Sequence, residues 1–519
     1  MAGVTVSWRR RSEEEETHRP TASRGTMRVV KPMNDAHIRF CTEEESAVTA
    51  IHLHSRRSFL GRTLGAGAAA CAGILVTSED YEAIAQNVKS ASQPSQLKIT
   101  DMRVCRVRGR WVIRLDTNQG LHGYGEVRDG ASPTYALMLK SRILGLNPCH
   151  VDKIFRRIKQ FGGHARQAGG VVSIEMACWD LAGKAWGVPC WQMLGGQFRD
   201  KIRLYADTPF VKDPQEQARR LKGRIEQGFT FLKMDVPITL LQGIEGTATW
   251  PKGQGVDPFR QYGDANWEWT YKPHPFTGIR LTEKGLSVYE DYCMKVRESL
   301  GWEIPIATDH YGHFGIEDGI KLARRLDKCN FAWYEDMVPW WYVDQYIQLK
   351  NSCTTPILTG EDIYLLDGFQ ELIDRKAVSV IHPDLATSGG LLETKKIGDY
   401  AMNHGISMAL HMAGGPVTMF ASIHCAAATE NFLVMEHHGV DDKEYETVAD
   451  GPVKPLMGKD GFVPVPNLPG LGVELNEDAV KRGLKDPAKE YFPPTPEWDN
   501  ERSHDRLWSL NRPRLSPSA

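Results

Sequence analysis

From Leu97 onward the chain carries a clear alternation of apolar and polar positions. Two runs, LKITDMRVCRVRG and RWVIRLDTNQGLHGYGEV, keep a period of two on either side of turn residues, which predicts strands of a small antiparallel sheet. The stretch SIEMACWDLAGKAWG follows a different period. There Ile174, Cys178, Leu181 and Ala185 recur at helical spacing, Ser173 stands at an N-cap position, and Gly187 followed by Pro189 ends the helix. Together these elements predict an α+β domain over residues 96–200.

Strand and helix patterns then alternate in strict order. KIRLYAD, FTFLKMDV, IPIATDH, FAWYED, PILTGED, VSVIHPD, ISMALHM and FLVMEHH are eight β-rich runs, separated by helical stretches such as PQEQARRLKGRIEQG and GLLETKKIGDYAMNHG. Eight units are the number that closes a parallel barrel, so the fold class is α/β, a (β/α)8-type (TIM-like) barrel over 201–450 with an N-terminal α+β capping domain. One unit is enlarged by a Trp-, Gly- and Pro-rich insertion at about 237–280. Insertions at this end of a barrel cover the site or make an oligomer contact, and Trp267, Trp269 and Tyr271 read best as the insertion's own small core. The Pro- and Gly-rich segment 451–519 is expected to return to the capping domain.

Composition narrows the function classes. With 63 basic and 65 acidic residues and no basic face, nucleic acid is not an expected partner. Ten cysteines without CxxC spacing, several of them in apolar helical stretches, predict buried thiols rather than disulfides or zinc sites. Residues 1–95 read differently from the rest: a disordered extension mixing RRR and EEEE, in which Met27 or Met33 is an alternative start, and then SRRSFL, a Gly/Ala-rich core and an AIA at 83–85. That is the pattern of a twin-arginine signal, which implies export to the periplasm, with no membrane association afterwards, and a cytoplasmic protein if the signal is not used.

The chemistry gathers at the ends of the apolar runs. Asp309, Glu335 and Glu361 follow three successive runs at intervals of 26 residues, one βα unit each, which would set three carboxylates at one height. Helix N-capping is the competing explanation, but capping favours Ser, Thr, Asn and Asp, and two of these three are Glu. Carboxylates held together need a cation between them, and oxygen donors with open positions suit Mg²⁺. Asp384, His411 and Glu436 continue the series, so six consecutive strand ends carry a polar residue.

These features, with LKMD, HPDLATSGGLLE, LHMAGGP and PGLGVELNE, resemble the enolase superfamily in its mandelate racemase and muconate lactonizing enzyme branch, over roughly residues 97–480. The resemblance implies abstraction of a proton beside a substrate carboxylate, with Asp309, Glu335 and Glu361 as Mg²⁺ ligands. It implies an Asp384–His411 dyad as base, and Glu436 as a protonated donor to the substrate carboxylate. Lys233 matches the first lysine of the branch's Lys-x-Lys, and Asp235 replaces the second, which favours chemistry on one face of the substrate. In several dehydratases of the branch a histidine two positions after the first metal aspartate is the general acid. Tyr311 stands there, with His310 beside it and His313 two further on, and alternation would point Tyr311 inward and His310 away.

The resulting expectation is Mg²⁺-dependent dehydration of an aldonate-type sugar acid to a 2-keto-3-deoxy acid, by a lyase that acts on a small carboxylate and forms an even-numbered homo-oligomer. Asp235, Tyr311 and His313 are placed at the substrate, and the loop Gly120–Gly130 lines the pocket. The rivals are a racemase, epimerase or cycloisomerase using Lys233 opposite His411, and a secreted sugar-acid binder without catalysis.

Overall fold

The computed structural model describes residues 93–250, 279–310, 314–450 and 456–500. The twin-arginine stretch, Trp267, Trp269, Tyr271, Tyr311 and His313 lie outside the described residues.

The first unit is a three-stranded antiparallel sheet, β1 (Ile99–Val107), β2 (Arg110–Thr117) and β3 (His122–Glu126). The β1–β2 turn puts Arg108 and Gly109 at φ 49° and 84°, the paired positive values of the tight hairpin turn that matches strand twist. Helix α1 (Val151–Ile158) precedes α2 (Gly169–Trp186), which crosses the sheet. All of α2 but Lys184 and Trp186 is buried, as expected of a helix covered on every side. It begins four residues before Ser173, whose Oγ donates to the Gly170 carbonyl at 2.9 Å instead of capping. The early start escapes a sequence reading because Gly169 and Gly170 look like breakers. They are there for closeness: a Cβ at Gly170 would overlap the Tyr135 backbone. The end falls where expected, with Gly187 at φ 71° as a left-handed cap. Gly123 and Gly125 on β3 let the strand lie directly on α2, since Cβ atoms there would overlap the carbonyls of Ala177 and Ser173.

The second unit closes. Strands β4 (Lys201–Ala206), β5 (Leu232–Asp235), β6 (Ile306–Asp309), β7 (Trp333–Glu335), β8 (Ile357–Thr359), β9 (Val380–Ile381), β10 (Ser407–Leu410) and β11 (Phe432–His437) run parallel in sequence order, and β11 pairs back onto β4. Helices α3 (Pro214–Glu226), α4 (Glu283–Leu300), α5 (Ile316–Leu326), α6 (Val343–Lys350), α7 (Leu365–Asp374), α8 (Leu391–Asn403) and α9 (Pro416–Ala428) form the return connections. Asp213 caps α3 by accepting from the Glu216 N–H at 2.8 Å with Pro214 at the first helical position, and Thr282 caps α4. A last strand, β12 (Phe462–Pro464), pairs antiparallel with the first half of β4. Beyond it the chain reaches β1 and its neighbours: the Thr495 hydroxyl donates to the Met102 carbonyl at 2.8 Å, and Lys140 donates to the Thr495 carbonyl at 3.1 Å.

The barrel interior is filled by one residue per strand: Tyr205, Phe231, Ala307, Trp333, Leu358, Val380, Ala409 and Val434. The rings of Phe231 and Trp333 lie 4.9 Å apart and those of Tyr205 and Trp333 5.7 Å apart, so this layer is a solid plug. Carboxylates of the capping domain hold the two units together. Glu175 on α2 accepts from the Leu391 and Leu392 N–H groups at the start of α8, at 3.0 and 3.2 Å. Glu126 on β3 accepts from Gly415 and Thr418 at the start of α9. Both pairings satisfy helix N–H groups that have no partner of their own.

Candidate active site

Because a strand repeats every two residues, each inward plug residue has an inward neighbour two positions on. Counting two onward from seven of the eight plug residues gives Asp207, Lys233, Asp309, Glu335, His382, His411 and Glu436. The eighth, Leu358, leads to Gly360, and Glu361 follows it. An apolar floor thus carries a polar layer at the C-terminal end of the barrel, where the connecting loops converge.

The layer is centred on Lys233. Its ammonium lies 2.8 Å from Asp309 Oδ2, 3.1 Å from Glu335 Oε1 and 2.9 Å from Glu436 Oε1, and these carboxylates hold the lysine charged despite its burial. The three sequence-predicted metal ligands are therefore only partly convergent. Asp309 and Glu335 face Lys233, whereas Glu361 Oε2 turns to His411 Nε2 at 3.0 Å. Glu335 is held on its far side by Trp333 Nε1 at 3.0 Å, and His382 Nδ1 stands 3.0 Å from its Oε1. Tyr205 and His382 meet at 3.0 Å beneath.

Asp384 and His411 do touch. His411 Nδ1 is 2.6 Å from Asp384 Oδ2, and the two residues form a parallel bridge at adjacent strand ends. Asp384 is also a helix cap, its Oδ1 accepting from the Ala386 N–H at 2.7 Å, so one carboxylate holds both the His411 ring and a helix start. Burial opposes charge on His411, but Glu361, Glu436 and Asp384 push its pKa well up.

The Glu436 carboxyl accepts from Lys233 at 2.9 Å, and Lys233, His438 and His411 outweigh its burial and pull its pKa below the ordinary value. One expectation is corrected: His310 does not point away. Its backbone is left-handed, φ 68°, which breaks the alternation and brings Nε2 to 3.5 Å from Asp235 Oδ1 and 4.0 Å from Asp309 Oδ2. Asp336, after Glu335, has φ 46°, so two of the acidic strand ends are followed at once by a sharp turn.

Residues that sequence reasoning passed over complete the wall. His438 lies two positions beyond Glu436, its Nε2 3.3 Å from Glu436 Oε1. Arg128, from the loop after β3 and fully buried, places Nη1 2.9 Å from Asp384 Oδ2. Both sit in stretches noted from the sequence, EHH and GEVRDG, but nothing in one chain marks a single histidine or arginine there as inward.

Whether a divalent cation suits these residues is answered by the acids themselves. Glu436 Oε2 and Asp235 Oδ1 are buried without a hydrogen-bond partner. Burial, together with Glu361, Glu335 and Asp309, drives the Asp336 carboxyl well above its ordinary pKa. A dense cluster of carboxylates in which Glu436 Oε2 and Asp235 Oδ1 each have only an imidazole nitrogen 3.5 Å away, beyond a good hydrogen bond, fits a hard cation.

Residues 81–195 match the family described as mandelate racemase / muconate lactonizing enzyme, N-terminal domain, and 215–479 match enolase C-terminal domain-like. A D-xylonate dehydratase of Haloferax volcanii is 30% identical over 396 residues, covering 74% of this chain and 88% of that protein. A D-galactonate dehydratase of Verminephrobacter eiseniae is 25% identical, covering 78% and 97%. Among solved structures, a mandelate racemase/muconate lactonizing enzyme-like protein from Rubrobacter xylanophilus superposes with TM-score 0.63 at 29% identity, over 75% of this chain and 97% of its own. The 3,6-anhydro-D-galactonate cycloisomerase of Zobellia galactanivorans, at 22% identity, TM-score 0.61, and 75% and 100% coverage, shares the fold. The chain belongs to the enolase superfamily, in its mandelate racemase/muconate lactonizing enzyme branch.

Proposed function

We propose that this protein removes water from a sugar acid of the aldonate type, giving a 2-keto-3-deoxy acid in a magnesium-dependent reaction. The observation that carries this reading is the His411–Asp384 pair, 2.6 Å apart, at the edge of a carboxylate cluster whose lysine is already bound to three acids. His411 oriented by Asp384, with Lys233 engaged by three carboxylates, suits proton removal from a single face. The dehydratase relatives support the substrate class.

Asp309, Glu335 and Glu361 would hold the ion. When bound there, it supplies positive charge for the substrate carboxylate as the α-proton leaves. Asp384 fixes the His411 ring and favours its charged form, so Nε2 takes the α-proton. The racemase alternative needs Lys233 free on the opposite face, and its three carboxylate partners argue against that.

The test is a panel of acid sugars, beginning with D-xylonate and D-galactonate, assayed for 2-keto product with and without Mg²⁺ and for α-proton exchange in heavy water. His411→Asn is expected to lower product formation by roughly a hundredfold or more. Unchanged turnover in that variant removes the proposed base.

A further inference from the structure

Loss of the β-hydroxyl requires an acid, and the polar layer offers one that the family resemblance did not indicate. On β11 Val434 lies in the plug and Glu436 in the layer, and His437 ends the strand against Tyr445 with ring centroids 5.2 Å apart; His438 follows at once in helical backbone, φ −84° and ψ −18°. The His438 ring stands 5.7 Å from that of His411 on the same wall. Its Nε2 is 3.3 Å from Glu436 Oε1, and His411 Nε2 is 3.5 Å from Glu436 Oε2, so one carboxylate spans the two imidazoles. The side chain of His438 is 31% exposed where that of Glu436 is 0% and that of His411 6% exposed, so it opens toward the mouth of the barrel.

Resting on the dehydratase reading above, we propose that His438 is the general acid that protonates the departing β-hydroxyl, on the same face from which His411 takes the α-proton. The Cα–H bond breaks toward His411 Nε2, and its electron pair is held in the substrate carboxylate. That pair then forms the Cα=Cβ bond as Cβ–O breaks, and the oxygen takes the proton of His438 Nε2 and leaves as water. The enol product tautomerises to the 2-keto acid. Glu436 returns the proton from His411 to His438, so no outside acid or co-reactant is needed, and elimination is syn.

The surroundings suit an acid. Burial disfavours the imidazolium and His411 opposes it, but Glu436 and Asp207 raise the His438 pKa above its ordinary value. Asp207 Oδ2 lies 3.8 Å from Nδ1. Lys233 is engaged with three carboxylates, and His310 faces Asp235.

The experiment compares wild type with His438→Asn on D-xylonate, D-galactonate and their 3-deoxy-3-fluoro analogues, following 2-keto product, fluoride release and α-proton exchange in heavy water. The variant is expected to lose dehydration of the hydroxy acids by roughly a hundredfold or more, to keep α-proton exchange, and to release fluoride near the wild-type rate, because fluoride leaves without a proton. Wild-type dehydration in the variant overturns the assignment. Loss of exchange together with dehydration, or equal losses for hydroxyl and fluoride, also overturns it. Wild type inert in exchange and dehydration on every acid would instead bring down the dehydratase reading, and this assignment with it.

Discussion

Replacing Glu175 by alanine tests how the capping domain is fastened to the barrel. The carboxylate accepts from Leu391 N–H at 3.0 Å, Leu392 N–H at 3.2 Å and the Trp179 indole at 2.6 Å, and Gly390 before α8 has no side chain to substitute for it. Truncation strands two backbone donors at a helix start, each worth roughly 1.5 kcal/mol or more, so the loss is about 3–5 kcal/mol. At roughly 2 cal/mol/K of unfolding entropy per residue over a folded body of about 400 residues, that lowers Tm by about 4–6 °C. The acid also carries a pH signature. Burial, working against its three N–H donors, holds the folded pKa up at about 8, above the ordinary carboxylate value. The folded state therefore binds this proton more tightly than the unfolded one. The contribution is fully present below the ordinary pKa and is lost as pH rises through about 8. Differential scanning calorimetry of wild type, Glu175→Ala and Glu175→Gln from pH 5 to 9 is the assay. Glu175→Gln should flatten that part of the slope, since it cannot ionise. A Glu175→Ala Tm within about 1 °C of wild type, or an unchanged slope in Glu175→Gln, refutes the reasoning.

Gly125→Ala should abolish soluble folded protein, because the added methyl overlaps the Ser173 carbonyl, whereas Gly120→Ala, at φ 79° with open space around it, should cost only about 1–2 kcal/mol of backbone strain; soluble yield and thermal melts separate the two, and similar behaviour would contradict the packing account. Chelation is expected to abolish dehydration and lower Tm, with Mg²⁺ at 100 times its Kd restoring about 2.7 kcal/mol of stability. Activity and Tm untouched by a chelator would remove the metal from the reading.

The barrel was readable because each strand is a short apolar run closing on a polar residue, and the period-two count that predicts a strand also decides which side chain points in. Asp309, Glu335, Asp384, His411 and Glu436 were visible for that reason. Three things were not. The direction of His310 depends on a left-handed φ, which no alternation rule anticipates in a non-glycine residue. The sharing of Lys233 among three acids depends on distances across the barrel, between residues as much as 203 positions apart. The start of α2 was hidden because Gly169 and Gly170, locally poor helix formers, are required by contacts with Arg128 and Tyr135 from other segments.

The plug of Tyr205, Phe231 and Trp333 gives the barrel a floor, so among the described residues the polar layer is open on one side. Whatever settles deepest, against Asp309 and Glu335, must enter before anything that rests on His438 and depart after it. The traffic is last in, first out.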